Sequence, residues 1–513
     1  MLVACLLASF LQSTFFAYAL VTDADEGAYM LLGRLAITGK IGLFQDEMTG
    51  QRMPLPYYVI GLSQLLFGRS LVAARFTSAA LGLACLVLVY LLGQRLGGEV
   101  AGVLALLFAA TQSVIIGYFA GAYYHSLVSL ELLVALYVLL ATDLRHRRVI
   151  TMGCVALLFF TRPNVAPLIS LACLYLVWES KRLGERFAIV AVTVAPPLVF
   201  FASDPNHLKL LAYVPGLSPL VVPLGFHAAS IPNETTSERA LAYPLTLFVR
   251  WYKPWILSAL VLSAIVVVAA GRGRIPRRII APRGVVAIAL TVVYLALWQL
   301  ATFPSVRIAV GYFQSFAILA AIVLGFAFSR FLSAASSVQP HGALGAAFLA
   351  AIFLVSPSWA RPPALPAAVS RATSPALAVN RLADQFRALI PAGSTVFLFG
   401  PSQALYLARR EPYLRQVTHL YTLTTIADAR IRTRSGLWGE SEIHEWLGRD
   451  ADYAVVVPTY LDAFRPEQNT RDGNNVDLIE SLLARYFTRI DVSDDRSGIT
   501  YHVYKRTLAG RSP

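Results

Sequence analysis

Stretches of roughly 20 apolar residues recur along the first 360 positions, and no other feature limits the fold of this chain as severely. Such a run is what an α-helix needs to cross the ~30 Å hydrocarbon core of a bilayer. Inside that core every backbone N–H and C=O must bond within the chain, which leaves helices or closed barrels. Barrel strands are short and alternate polar with apolar residues, a pattern missing here. Runs suited to spanning lie near 2–21, 71–92, 99–119, 123–142, 149–161, 163–178, 187–203, 252–270, 284–302, 308–330 and 343–359, about eleven in all. The two between 149 and 178 are short and read as spans or as a re-entrant pair. Composition agrees, since 57% hydrophobic and 14% charged residues leave too little charge to cover a soluble protein of 513 residues. Mean hydropathy is +0.61.

The net charge of +14 is unevenly placed. Residues 1–360 carry 24 Lys and Arg against 13 Asp and Glu, whereas 361–513 carry 19 against 16. The excess therefore sits in the apolar part, in short loops where it sets topology rather than forming a nucleic-acid surface. Arg145-His146-Arg147-Arg148, Lys181-Arg182 with Arg186, and Arg272 through Arg283 are the densest clusters. Alternating sides along the runs places all three together, on the cytoplasmic face. The loop at 22–70, the loop at 204–250 and everything after Trp359 then share the opposite face. Ala17-Tyr18-Ala19 resembles a signal-peptidase site, but no basic residue precedes the long apolar run, which favours a retained anchor. The four cysteines all lie in apolar runs and offer neither a disulfide framework nor zinc spacing.

Residues 361–513 have ordinary charge and a Pro-rich start at Pro362-Pro363 and Pro366. Thr395 to Phe399 and Tyr453 to Pro458 read as buried strands, 376–390 and 475–486 as amphipathic helices, and Tyr501 to Tyr504 as an edge strand. Gly400-Pro401-Ser402 lacks the glycine pattern and the Lys of a phosphate loop, and reads as an ordinary strand-to-helix turn. The expected fold class is thus an α-helical membrane bundle over residues 1–360, with outer loops 22–70 and 204–250, followed by a small extracytoplasmic α/β domain over 361–513.

Asp25-Glu26 stands where the first apolar run ends. A carboxylate at a lipid boundary is costly unless it is partnered or faces a wet cavity, so it marks function by default. Two readings stay open from the residues themselves. One is a general base outside the membrane with a second carboxylate that orients it or binds substrate. The other is an acidic pair that complements the dipole of a helix over Ala28–Ile37.

The first 130 residues resemble the class C glycosyltransferases that use lipid-linked sugars, in particular the branch of protein O-mannosyltransferases and lipid A aminoarabinose transferases. Asp25-Glu26-Gly27-Ala28-Tyr29 is similar to that family's first-loop acidic motif, and Ala36 through Gly42 to its Ala-then-Gly stretch. Pro54-Leu55-Pro56-Tyr57-Tyr58, Phe67-Gly68-Arg69-Ser70 and Ala74-Arg75-Phe76 follow in the family's order. The resemblance fades after about residue 200. It implies an inverting transfer from a polyprenyl-phosphate sugar, with Asp25 as base. The family often has Lys before its proline pair, where this chain has Met53 preceded by Arg52. Where many members carry an acid at the start of the fourth span, this chain has Tyr123-Tyr124-His125.

A lipid phosphate as leaving group requires positive charge near the outer boundary, and the forked guanidinium suits phosphate oxygens. Arg52, Arg162 and Arg307 are the candidates, with Arg250 and Lys253 also able to snorkel toward headgroups. Tyr57, Tyr58 and His125 complete the candidate substrate-binding set, and Arg75 reads as structural. Asn233-Glu234-Thr235 matches a glycosylation sequon that short tripeptides often match by chance. No metal-ligand cluster is visible beyond Asp25, Glu26 and His125, and the need for a divalent metal stays open. The expected partners are a polyprenyl-phosphate sugar, the bilayer and a glycan, glycolipid or protein acceptor, in a bacterial inner membrane. A transporter or flippase of lipid-linked sugar, or a non-catalytic assembly subunit, accounts for fewer of these features.

Overall fold

A computed structural model describes residues 2–20, 22, 24–43, 53–111, 113–162, 166–213, 218–227, 283–302, 314–336, 374–410, 412, 423–465, 469–470, 473–494 and 499–507. Ten helices follow one another over the first 203 residues: α1 Leu2–Ala19, α2 Ala24–Ile37, α3 Pro54–Leu66, α4 Leu71–Gly97, α5 Glu99–Ala110, α6 Ser113–Ala120, α7 His125–Ala141, α8 Arg147–Thr161, α9 Ala166–Glu179 and α10 Leu183–Ser203. Further helices at Arg283–Thr302 and Gln314–Ser336 run 20 and 23 residues. Helices α1, α4 and α10 are each long and apolar enough to cross a bilayer. The protein is a membrane-embedded helical bundle. The predicted runs at 252–270 and 343–359 lie outside the described residues. The predicted run at 99–119 is described as two helices, α5 ending at Ala110 and α6 starting at Ser113.

The chain divides into two compact units. The first comprises Met1–Phe16, Ser78–Ala195 and Asn233–Pro363. Its core is aliphatic and aromatic, with Leu86, Phe108, Phe119, Leu133, Met152, Ile318 and Phe328 buried together. Small residues set the helix spacing, as expected where lipid supplies no hydrophobic drive between helices. A Cβ at Gly325 would stand 2.5 Å from the Ala105 nitrogen, and one at Gly102 would stand 2.7 Å from the Tyr90 carbonyl. On α9 and α10 large apolar side chains point outward, Trp178 at 85% and Phe187 at 77% exposure, as on a surface facing lipid.

The second unit comprises Ala17–Thr77, Pro196–Pro232 and Ala364–Pro513. Its sheet is built from β1 Val396–Phe399, β2 Tyr453–Val456, β5 Phe487–Asp494 and β6 Thr500–Arg506, in the order β1-β2-β6-β5. A short ribbon joins β3 Asn469–Thr470 to β4 Gly473–Asn474. Strands β1 and β2 are parallel, with Phe397 opposite Ala454 and Phe399 opposite Val456. Their unbroken apolar sequences fit a pair covered on both faces. Strand β6 runs antiparallel to both β2 and β5. The predicted edge strand at Tyr501–Tyr504 is therefore corrected to an interior one. The edge beyond β6 is β5, whose polar FTRIDVSD sequence follows the helix Asn475–Tyr486 without a turn signal. Phe397, Phe399, Trp438, Trp446 and Phe464 fill the core beside the sheet. The helix Pro375–Leu389 starts at Ser374, whose hydroxyl accepts from the Leu377 N–H and donates to the Tyr18 carbonyl at 2.8 Å.

Candidate active site

Helix α2 begins with the acidic pair in its first turn, where the exposed N–H groups favour negative charge. The two carboxylates part company there. Glu26 is fully buried and takes two hydrogen bonds from Arg75, Nε to Oε1 at 2.8 Å and Nη2 to Oε2 at 2.6 Å. Arg75, also fully buried, gives Nη1 to the carbonyls of Ala17 and Leu20 at 2.9 and 3.0 Å. Those carbonyls close the end of α1, so one guanidinium joins the exit of α1, the start of α2 and the start of α4. Asp25, the residue just before Glu26, is half-buried.

Behind the first turn, α2 lies flush on α3. A Cβ at Gly33 would stand 2.2 Å from the Tyr57 carbonyl, and one at Gly61 would stand 2.3 Å from the Gly33 carbonyl carbon. The proline at the start of α3 suits a helix N-terminus, where no N–H partner is lost. Tyr57 is buried against Tyr29, ring centroids 4.9 Å apart, whereas Tyr58 is 44% exposed. Of the two, Tyr58 is the one presented outward. The Phe67-Gly68-Arg69-Ser70 motif turns the chain: Gly68 has φ +81°, a conformation that favours glycine. Arg69 lies over the Tyr406 ring at 5.0 Å and donates to its carbonyl at 3.1 Å. Gln64 takes the Ser70 N–H at 2.9 Å and the Tyr406 hydroxyl at 3.3 Å.

The turn after β1 packs on the acidic helix. An added Cβ at Gly27 would lie 2.6 Å from Gln403 Oε1, 2.8 Å from the Gln403 nitrogen and 2.8 Å from Ser402 Oγ. A side chain at position 27 is excluded, which explains the glycine after the acidic pair. Gln403 is fully buried, and neither polar atom of its amide has a partner among the described residues.

The remaining placed candidates belong to the first unit. His125 opens α7, is buried, and stands among Tyr124, Tyr118 and Tyr123 at centroid distances of 4.3, 4.9 and 5.7 Å. Arg162 follows α8, is buried, and lies 5.0 Å over the Tyr124 ring. Tyr124 thus joins the two. Further along α7 stands Glu131, which sequence reasoning missed. It is buried, accepts the Thr161 hydroxyl at 2.7 Å on Oε1, and has no partner on Oε2 among the described residues. The signal was available as a lone carboxylate inside an apolar run. Gln403 was missed for lack of any signal, being one amide in a helix of five residues. Arg52, Arg307, Arg250 and Lys253 lie outside the described residues. Among the described residues, no group of three His, Cys, Asp or Glu side chains could hold a metal ion.

Residues 51–203 match the family described as dolichyl-phosphate-mannose-protein mannosyltransferase. The whole chain is similar in fold to ArnT from Cupriavidus metallidurans bound to undecaprenyl phosphate, with a TM-score of 0.60, 13% identity and 98% of that chain covered. It is similar also to the apo state of the same protein, with a TM-score of 0.61, 14% identity, all of this chain and 98% of that one. No curated protein sequence matches the chain.

Proposed function

We propose, for a chain that is a glycosyltransferase of the class C fold drawing its sugar from a lipid carrier, that Asp25 is the base of an inverting transfer onto a hydroxyl acceptor. The observation that carries this reading is the division of labour in α2. Glu26 is neutralised by Arg75, which suits it to position the turn, and proton transfer is assigned to the half-buried Asp25. The acceptor oxygen bonds to the anomeric carbon as its proton passes to Asp25. The bond from that carbon to the phosphate oxygen breaks, and its electron pair leaves with the polyprenyl phosphate. A positioned carboxylate contributes about 10²–10⁴-fold to such a step.

The departing phosphate needs cationic partners, and Arg162, with Arg52 and Arg307, is assigned that role, each on the side opposite the Arg-dense loops. Tyr58 and His125 are assigned to substrate contact, and Tyr57 to holding α3 on α2. The donor is a polyprenyl-phosphate sugar; the acceptor is a glycan, glycolipid or protein. Within the second unit the acidic helix touches the turn after β1, and Tyr406 bonds Gln64. Such contacts support one side of the bilayer for Gly27 and Gln64 together with Gln403 and Tyr406. That supports an extracytoplasmic α/β region over 361–513 following a membrane catalytic region over 1–360, in a bacterial inner membrane.

The test is Asp25→Asn in membranes loaded with radiolabelled polyprenyl-phosphate sugar. Transfer should fall at least a hundredfold at unchanged expression, in line with the general-base contribution of about 10²–10⁴. Retained transfer refutes the assignment.

A further inference from the structure

Gly27, in the first turn of α2, is where three features of the molecule meet. The helix is 14 residues long, and its first turn bears Asp25. The turn Gly400-Pro401-Ser402 delivers Gln403 against the Gly27 Cα, close enough that no Cβ fits between them. The Gln403 side chain is completely enclosed, yet both its Oε1 and its Nε2 are without partners among the described residues. A buried amide with neither half satisfied destabilises the fold, and Leu or Met would fill the same volume without that loss. A buried polar group without a partner calls for an explanation, and a bound ligand is one that gives it a function.

We propose that Gln403 is a substrate-binding residue of the Asp25 site and takes a hydroxyl group of the sugar acceptor. An amide presents N–H donors beside a carbonyl acceptor, and a hydroxyl can bond to both at once. A phosphate is the poorer fit, because it offers acceptors alone and would meet the Asp25 carboxylate two residues before Gly27. Ser402 Oγ approaches the same point and adds a second hydroxyl-compatible group. The contact with Gly27 brings the Gln403 amide to the first turn of α2, the turn that bears Asp25. The region after β1 thereby supplies part of the acceptor site, and the turn singled out in the sequence acquires a role other than phosphate binding. The inference rests on Asp25 acting as the base of glycosyl transfer.

The experiment uses the full chain in lipid nanodiscs, as wild type, Gln403→Leu and Gln403→Met. The probes are undecaprenyl-phosphate hexoses and pentoses as donors and a detergent extract of cell membranes as acceptor source. Both variants should melt no lower than the wild type. Their half-saturating amount of extract should rise about tenfold or more while donor half-saturation moves less than twofold, about 1.4 kcal/mol assigned to the acceptor alone. A lower Tm in both variants makes the amide structural and overturns the proposal, as does an unchanged extract dependence. Absence of transfer by the wild type from every donor counts against the glycosyl-transfer reading instead. Gln403 is then decided by the Tm shift that the extract produces: a shift lost in the variants supports the proposal, and an equal shift in all three proteins overturns it.

Discussion

Arg75 and Glu26 hold each other through two hydrogen bonds with neither side chain exposed, 49 positions apart in the chain. Neither charge can be tolerated alone in that setting. Arg75→Met or Glu26→Leu should each cost about 3–5 kcal/mol, because a buried ion pair is broken. The double variant should recover much of that loss, since an apolar pair of similar volume is often close to neutral. Thermal unfolding of the four proteins in nanodiscs gives the coupling directly. Additive losses would show that the two side chains act independently.

Tyr57 and Tyr58 are adjacent yet face opposite demands. Tyr57→Ala removes a ring buried against Tyr29 and should lose about 3–5 kcal/mol of stability, as large aromatic truncations do. Tyr58→Ala should leave unfolding within about 0.5 kcal/mol, as surface changes do, while reducing transfer. Melting curves and transfer rates on the two variants separate the roles, and a Tyr58 variant with wild-type transfer would remove that residue from the site.

Much of this arrangement is legible in the order of residues alone. Hydrophobic runs mark the helices at 71–97 and 183–203, and the acidic pair marks the start of α2, because both signals are local. The bidentate partner of Glu26 is not legible, since Arg75 lies on another helix and only tertiary contact joins them. Strand β5 is hidden by its own polarity, as an edge strand exposes one face and one row of backbone groups. Gln403 is invisible for the same reason that makes it informative: its environment is assembled from segments 376 residues apart, Gly27 and Gln403.

Glu442 ties the segment after Trp438 to Arg432. Burial pushes its carboxyl up, but hydrogen bonds from Arg432 and from the Gly439 N–H, with the guanidinium charge, outweigh that and hold it below the ordinary 4.5. Because the folded carboxyl is the more acidic one, its contribution is complete above 4.5 and is lost as pH falls through the lowered value. Glu442→Gln should therefore lower Tm at pH 7 and converge with the wild type in strong acid. A Tm difference that stays constant across that range would show that the carboxylate charge contributes nothing.

Glu131 makes the sharpest demand on the first unit. A carboxylate inside a membrane helix is expensive, and among the described residues Thr161 answers only one of its two oxygens. If the residue existed to clamp α7 on α8, Gln would serve as well, because its carbonyl still accepts the Thr161 hydroxyl. If instead the second oxygen works on substrate, the charge itself matters. Glu131→Leu should then be as stable as the wild type or more so, since Leu carries none of the desolvation cost of a buried carboxyl with one oxygen unsatisfied. Transfer by both Glu131→Gln and Glu131→Leu should nevertheless fall about tenfold or more, a loss of about 1.4 kcal/mol or more in transition-state binding. Full transfer by the Leu variant would reduce Glu131 to a helix contact. Reduced transfer accompanied by an equal drop in Tm would likewise leave it a structural residue, with no part in the chemistry.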